Sequence, residues 1–328
     1  MKAYTSTPES RNGSPERKSA SWVRRTVQIT LTGLGTVTGL ATFAIPLSNI
    51  LIRPRLKRLH QLRSPLLARF LQKKGYDFKP VSFRSYDGKK LHGWFLLKGH
   101  DNPTIIVLHG VKGNRTSVIR YAITLCNANF NVLVFDSRGH GESEGYYVTY
   151  GHHEKRDVES AIAFLEDECG LDPSRIGLVG LSMGAAVALQ VAAMNKQVRA
   201  VWADSPFASL LRVSTHLGRQ WTRLPEALVR PIARTTLRIA GLRAKLDFET
   251  VNPANIARDI TCPVALVHGT ADELISHDHS ELIYDLLGSA EKEIWILEGA
   301  SHSKCIRFGG ENYLQRMVGF FNKVFQNK

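Results

Sequence analysis

From residue 76 to residue 328 the chain alternates short apolar runs with longer stretches whose apolar residues recur at helical spacing. "KPVSFRSYDGKKLHGWFLL" (79–97) alternates apolar and polar positions around Asp87-Gly88, as a β-hairpin does. "TIIVLHG" (104–110), "NVLVF" (131–135), "RIGLVGLS" (175–182), "VRAVWAD" (198–204), "PVALVHG" (263–269) and "EIWILEG" (293–299) are short apolar runs that read as buried strands. Between them, 115–128, 154–168, 183–194, 278–287 and 311–325 carry the helical period. Strands that are apolar throughout and separated by helices predict a mostly parallel sheet with helices on both faces. The N-terminal hairpin adds an antiparallel edge to this α/β fold.

The front of the chain has a different pattern. Residues 1–25 are rich in Ser, Pro, Arg, Lys and Glu without an apolar period and are expected to be disordered. Residues 26–52 carry no charged side chain, which predicts a transmembrane helix, kinked at Pro46. A cleaved signal peptide is the rival, although the run exceeds an ordinary signal core and Pro46 closely follows the small-residue site. Residues 53–75 read as a basic linker. Arg24 and Arg25 precede the span and Arg53, Arg55, Lys57, Arg58 and Arg63 follow it, so the positive-inside rule keeps the following domain in the cytoplasm.

The formal charge of +14 makes the protein strongly basic. No zinc-finger spacing, RNP-type strand or basic heptad accompanies that charge, so nucleic acid is not the expected partner. The arginines concentrate near the N-terminus and in 212–245, which fits an anionic membrane surface. Cys126, Cys169, Cys262 and Cys305 lack metal or disulfide spacing and read as reduced thiols.

In an open parallel sheet, chemistry collects at the carboxyl ends of the strands. Gly180-Leu181-Ser182-Met183-Gly184 ends one strand and opens an alanine-rich helix. That context fits a nucleophile elbow, a turn too tight for a Cβ at either glycine. An ordinary βα turn with a serine N-cap is the plainer reading. Asp272 follows the penultimate strand and His302 the last one. Alone, each would be a loop residue; together they supply the base and its orienter in the order Ser182, Asp272, His302. Asp204, at another strand end, is the rival acid. His277-Asp278-His279 and His152-His153 invite a metal, but adjacent residues do not share a helix face, so neither a metal nor a cofactor is expected.

From about 78 to 325 the chain resembles the α/β-hydrolase superfamily, and its small bacterial serine-hydrolase branch in particular. The segment Asp136-Ser137-Arg138-Gly139-His140-Gly141-Glu142-Ser143 and the pair His109-Gly110 carry that resemblance beside the elbow. It implies that the backbone N–H groups of Val111 and Met183 form an oxyanion hole. It also implies that 206–255, mostly helical and broken near Pro225 and Pro231, is a cap over the substrate. Serine at 182 separates the chain from dehalogenases and epoxide hydrolases, which carry aspartate there, and from dienelactone-type enzymes, which carry cysteine. His109, His140 and His268 are expected to tie loops together. The expected function is hydrolysis of an ester or thioester on a lipid-like or acylated substrate. An inactive binding module, or an acyltransferase or peptidase with the same triad, are the alternatives; the oligomeric state is open.

Overall fold

The computed structural model describes residues 44–54 and 63–326. The arm 1–25 and most of the expected span, 26–43, lie outside the described residues. Eight strands form one sheet in the order β1-β2-β4-β3-β5-β6-β7-β8. β1 (Lys79–Arg84) and β2 (Lys90–Leu96) form the expected antiparallel hairpin, and β2 pairs antiparallel with β4 (Asn131–Phe135). β3 (Thr104–Leu108), β5 (Ile176–Leu181), β6 (Val198–Asp204), β7 (Val264–Gly269) and β8 (Lys292–Leu297) continue the sheet, with every pairing from β4 onward parallel.

The runs of β3 to β7 are apolar nearly throughout because both faces of the sheet are covered there. Ile106, Leu108, Leu133, Phe135, Leu178, Val201 and Leu266 face one core, which α4 (Glu154–Asp167), α5 (Met183–Met194) and α9 (Asp278–Leu286) complete. The alternate residues Ile105, Val107, Val132, Val134, Val179, Trp202 and Val267 face a second core closed by α3 (Ile119–Asn127) and α10 (Cys305–Gln326). A side-chain period of two thus divides each run between two layers. All four cysteines are unpaired thiols.

Two parts of the N-terminal reading change. Residues 44–52, assigned by pattern to the end of the span, form a helix, α1, that packs on the domain. Ile52 is fully buried in a third cluster with Phe207, Leu237, Ala240 and Phe248, and Val148 donates its N–H to the Ile52 carbonyl at 3.0 Å. Within the stretch read as a linker, α2 (Arg63–Lys73) buries Leu71 against Phe78 and Trp94. Among the described residues, no helix is long and apolar enough to cross a membrane.

Between β6 and β7 the chain forms the helical insertion, as α6 (Leu210–Thr222) and α7 (Glu226–Ala244), followed by the short α8 (Pro253–Ile256). The break falls at Arg223, whose φ of 58° is left-handed, and at Pro225. Pro231 does not break the hairpin: it sits inside α7. Pro231 and Ala227, four residues earlier, are both exposed, so water can take the carbonyl that the missing N–H leaves free.

Candidate active site

β5 runs fully buried from Ile176 to Leu181, and the chain reverses into α5 within one residue. Ser182 takes that turn with φ 53° and ψ −114°, a conformation costly for a residue bearing a Cβ. The flanking glycines make it possible. A Cβ on Gly180 would lie 2.3 Å from the Gly184 carbonyl oxygen, and one on Gly184 would lie 2.4 Å from that of Leu108. These obstacles are backbone, which cannot rotate away. Gly184→Ala is therefore expected to cost about 1–3 kcal/mol of stability or more, read as a lowered melting temperature. An unchanged melting temperature would show that β3 and α5 can separate at no cost.

Three strand ends meet at this turn. His302, in the loop after β8, places Nε2 2.8 Å from Ser182 Oγ. Its Nδ1 lies 2.7 Å from Asp272 Oδ2, in the loop after β7. The carboxylate can only accept, so Nδ1 carries the proton and Nε2 is free to accept from the serine hydroxyl. The Asp272 side chain is fully buried, and that of His302 is 20% exposed. The arrangement can take a proton from the Ser182 hydroxyl.

Asp272 is held at both oxygens. Oδ1 accepts the backbone N–H groups of Leu274 (3.0 Å) and Ile275 (2.9 Å). Oδ2 is shared between His302 and a second imidazole, His268, whose Nε2 lies 3.1 Å away. That nitrogen also lies 2.8 Å from the Ile275 carbonyl, so it must carry hydrogen, while Nδ1 accepts from the Ser280 hydroxyl at 2.7 Å. Burial alone would raise the Asp272 pKa, but hydrogen bonds from His268 and His302 outweigh it and hold the carboxyl well below its ordinary range. The loop-tying expected of His268 thus includes a direct bond to the acid. Its signal in the sequence is the spacing of four in His268-Gly269-Thr270-Ala271-Asp272.

Asp204, the rival acid, is engaged elsewhere. Its Oδ2 accepts from Tyr313 at 2.8 Å and Tyr121 at 3.3 Å, and its Oδ1 accepts from Ser205 at 2.8 Å. It also braces the elbow, because its carbonyl accepts the Ser182 N–H at 2.8 Å. The tyrosines come from α3 and α10, far apart in sequence, and no local pattern announces them.

The loop after β3 passes beside the Ser182 turn. A Cβ on Gly110 would lie 3.9 Å from Ser182 Oγ, and Val111 follows it; Met183 is the first residue of α5. His109 accepts the Ser137 N–H at 3.0 Å, and burial, with the nearby His140, lowers its pKa to about 3. His140 places its ring nitrogens 2.9 Å from the Arg138 carbonyl and 2.6 Å from that of Val111. Asp136, fully buried, pairs with the Arg115 guanidinium and accepts the Arg115 and Glu142 N–H groups at 2.7 and 3.0 Å. The 136–143 segment therefore latches the Val111 loop in place. His279, weighed with His277 as a metal ligand, is buried and accepts the Ala208 N–H at 2.9 Å. Burial, reinforced by Arg212, lowers its pKa to about 3.

Comparison with known proteins identifies the family. The model of the alpha/beta hydrolase family matches residues 105–308. The uncharacterized protein YqkD of Bacillus subtilis is 30% identical over 78% of this chain and 82% of its own length. The thiohydrolase aneE of Aspergillus aculeatus is 35% identical over 39% of this chain and 42% of its own. Among solved structures, the Pyrococcus furiosus esterase Pf2001 superposes with a TM-score of 0.65 at 28% identity, covering 77% of this chain and 95% of the esterase. The chain belongs to the α/β hydrolase family, and its esterase and thiohydrolase neighbours support hydrolysis as its class of activity.

Proposed function

We propose that the chain is a serine hydrolase that cleaves a carboxylic ester or thioester through an acyl-enzyme intermediate. The observation that carries this reading is the continuous hydrogen-bonded line from Ser182 through His302 to Asp272, with steps of 2.8 and 2.7 Å. Ser182 Oγ attacks the acyl carbonyl as its proton passes to His302 Nε2. Asp272 holds the imidazole and stabilises the imidazolium that forms. The N–H groups of Val111 and Met183 receive the developing oxyanion, each contributing about 10²–10³ in rate. His302 then returns the proton to the leaving alcohol or thiol. Water, activated by the same nitrogen, releases the acid and restores the serine.

The substrate in this reading is lipid-like or acylated, because the cap is basic and the chain carries a charge-free segment near its start. With 44–52 folded on the domain, residues 26–43 form the anchor. Eighteen uncharged positions meet the lower end of the roughly 17–25 residues that span a bilayer. The basic residues after it keep the domain on the cytoplasmic side.

A fluorophosphonate probe tests the nucleophile directly. The folded protein is expected to be labelled, with the mass increment on the peptide containing Ser182. A folded protein that stays unlabelled, or that carries the label elsewhere, would leave only a binding role for the site.

A further inference from the structure

The cap has an outer face for which its inner packing gives no reason. Inside, Leu210, Leu237, Ala240 and Ala244 lie in one cluster with Ala186 of α5 and Ile275, three residues beyond Asp272. Outside, α7 is arginine-rich. At 3.6 residues per turn, Arg230, Arg234, Arg238 and Leu242 fall within an arc of about 120°, and all four are exposed. Residues 210–245 carry seven arginines and one lysine against a single acid, Glu226.

Large apolar side chains interrupt that charge. Trp221 is 67% exposed, Leu228 57% and Leu242 82%, and Leu224 is exposed in the turn between the two helices. α1 extends the face. Arg243 donates to Ser48 Oγ at 2.8 Å and to Asn49 Oδ1 at 3.1 Å, which sets α1 against the end of α7. On α1, Ile45 and Ile50 are more than half exposed.

We infer that this face, the outer side of α7 with the α6–α7 turn and α1, docks on a bilayer containing anionic phospholipid. The charge sign suits such a surface, and the long arginine stems can cover apolar surface while their heads reach phosphate. Nucleic acid would satisfy the arginines but gives Leu228 and Leu242 nothing to enter. The sequence adds a second argument. The charge-free residues 26–43 immediately precede α1 in the chain, so the proposed anchor would adjoin this same face. Docking would place lipid one helix layer from Ser182. The inference is independent of the hydrolytic reading: the face can dock whether or not Ser182 is a nucleophile.

Trp221 is a native reporter. The full chain is placed in phosphatidylcholine vesicles with or without phosphatidylglycerol, and quenching by brominated acyl chains is read as the difference from Trp221→Phe. With phosphatidylglycerol present, bromine is expected to quench the Trp221 emission. The exposed triple variant Arg230→Gln/Arg234→Gln/Arg238→Gln should lower the ratio of docked to undocked protein on the order of 100-fold, at about fivefold per charge, and added salt should act in the same direction. Thermal melting checks that the variant is folded. Trp221 that stays open to acrylamide and untouched by bromine overturns the inference. So does quenching indifferent to salt and to the three arginines. A dimer in lipid-free micelles that the triple variant dissociates would assign the face to a second copy instead.

Discussion

Ser182→Ala is expected to lower kcat/KM on a p-nitrophenyl acyl ester by about 10⁴-fold or more, with fluorophosphonate labelling lost. The neighbouring strand end offers no substitute nucleophile: the Ser205 hydroxyl is fully buried and donates to Asp204. The rate that survives would come from the Val111 and Met183 N–H groups and from substrate binding, which in serine hydrolases leave roughly 10³–10⁴ over water. A loss of less than tenfold would remove Ser182 as the nucleophile. The backbone makes a second measurement informative. At φ 53° and ψ −114° alanine keeps the strain of the elbow, whereas glycine relieves it. Relief of about 1–3 kcal/mol exceeds the entropic cost of glycine, about 0.5–1 kcal/mol. Ser182→Gly should therefore melt above Ser182→Ala, with both inactive. The opposite order would mean that the turn is not strained in solution.

Much of this architecture is legible in the chain, and the reasons are local. Strands covered on both faces are apolar nearly throughout, so the runs from 104 to 269 announce themselves; β8, only half-buried, is marked by Ile294, Trp295 and Ile296. The residues just beyond them then stand out as the polar exceptions, which is how Ser182, Asp272 and His302 are found. α1 is less legible because apolarity does not name its solvent, and α2 because its basic residues read as a linker. A helix face that packs on Phe207 and Phe248 has the composition of one that faces lipid. Pro231 misleads for a related reason, since a missing hydrogen bond breaks a helix only where water cannot replace it. The partners of Asp204 are hidden by distance: Tyr121 and Tyr313 meet it only once both faces of the sheet are assembled. His268 is an intermediate case. Its spacing from Asp272 is visible, but which oxygen it approaches depends on the loop between them.

That shared oxygen makes Asp272→Asn the sharper test of the acid. In the wild type, Oδ1 accepts two backbone N–H groups and Oδ2 faces two imidazoles. Asparagine must choose which position keeps the oxygen. An amide NH₂ at the Oδ1 position would oppose the Leu274 and Ile275 donors, so the carbonyl oxygen stays there. The NH₂ group then takes the Oδ2 position and donates to His302 Nδ1. The imidazole proton is forced onto Nε2, where it faces Ser182 Oγ at 2.8 Å and cannot accept the serine proton. The expected result is a fall in kcat of about 10⁴-fold in a protein that still folds, with fluorophosphonate labelling slowed in parallel. Asp204→Asn provides the contrast. One of the two buried acceptor oxygens that serve Tyr121, Tyr313 and Ser205 becomes an NH₂ donor, so the effect should fall on melting temperature, with activity retained per folded molecule. Were Asp204→Asn to abolish labelling while Asp272→Asn left it intact, the acid would sit on β6 and the line through His302 would have to be redrawn.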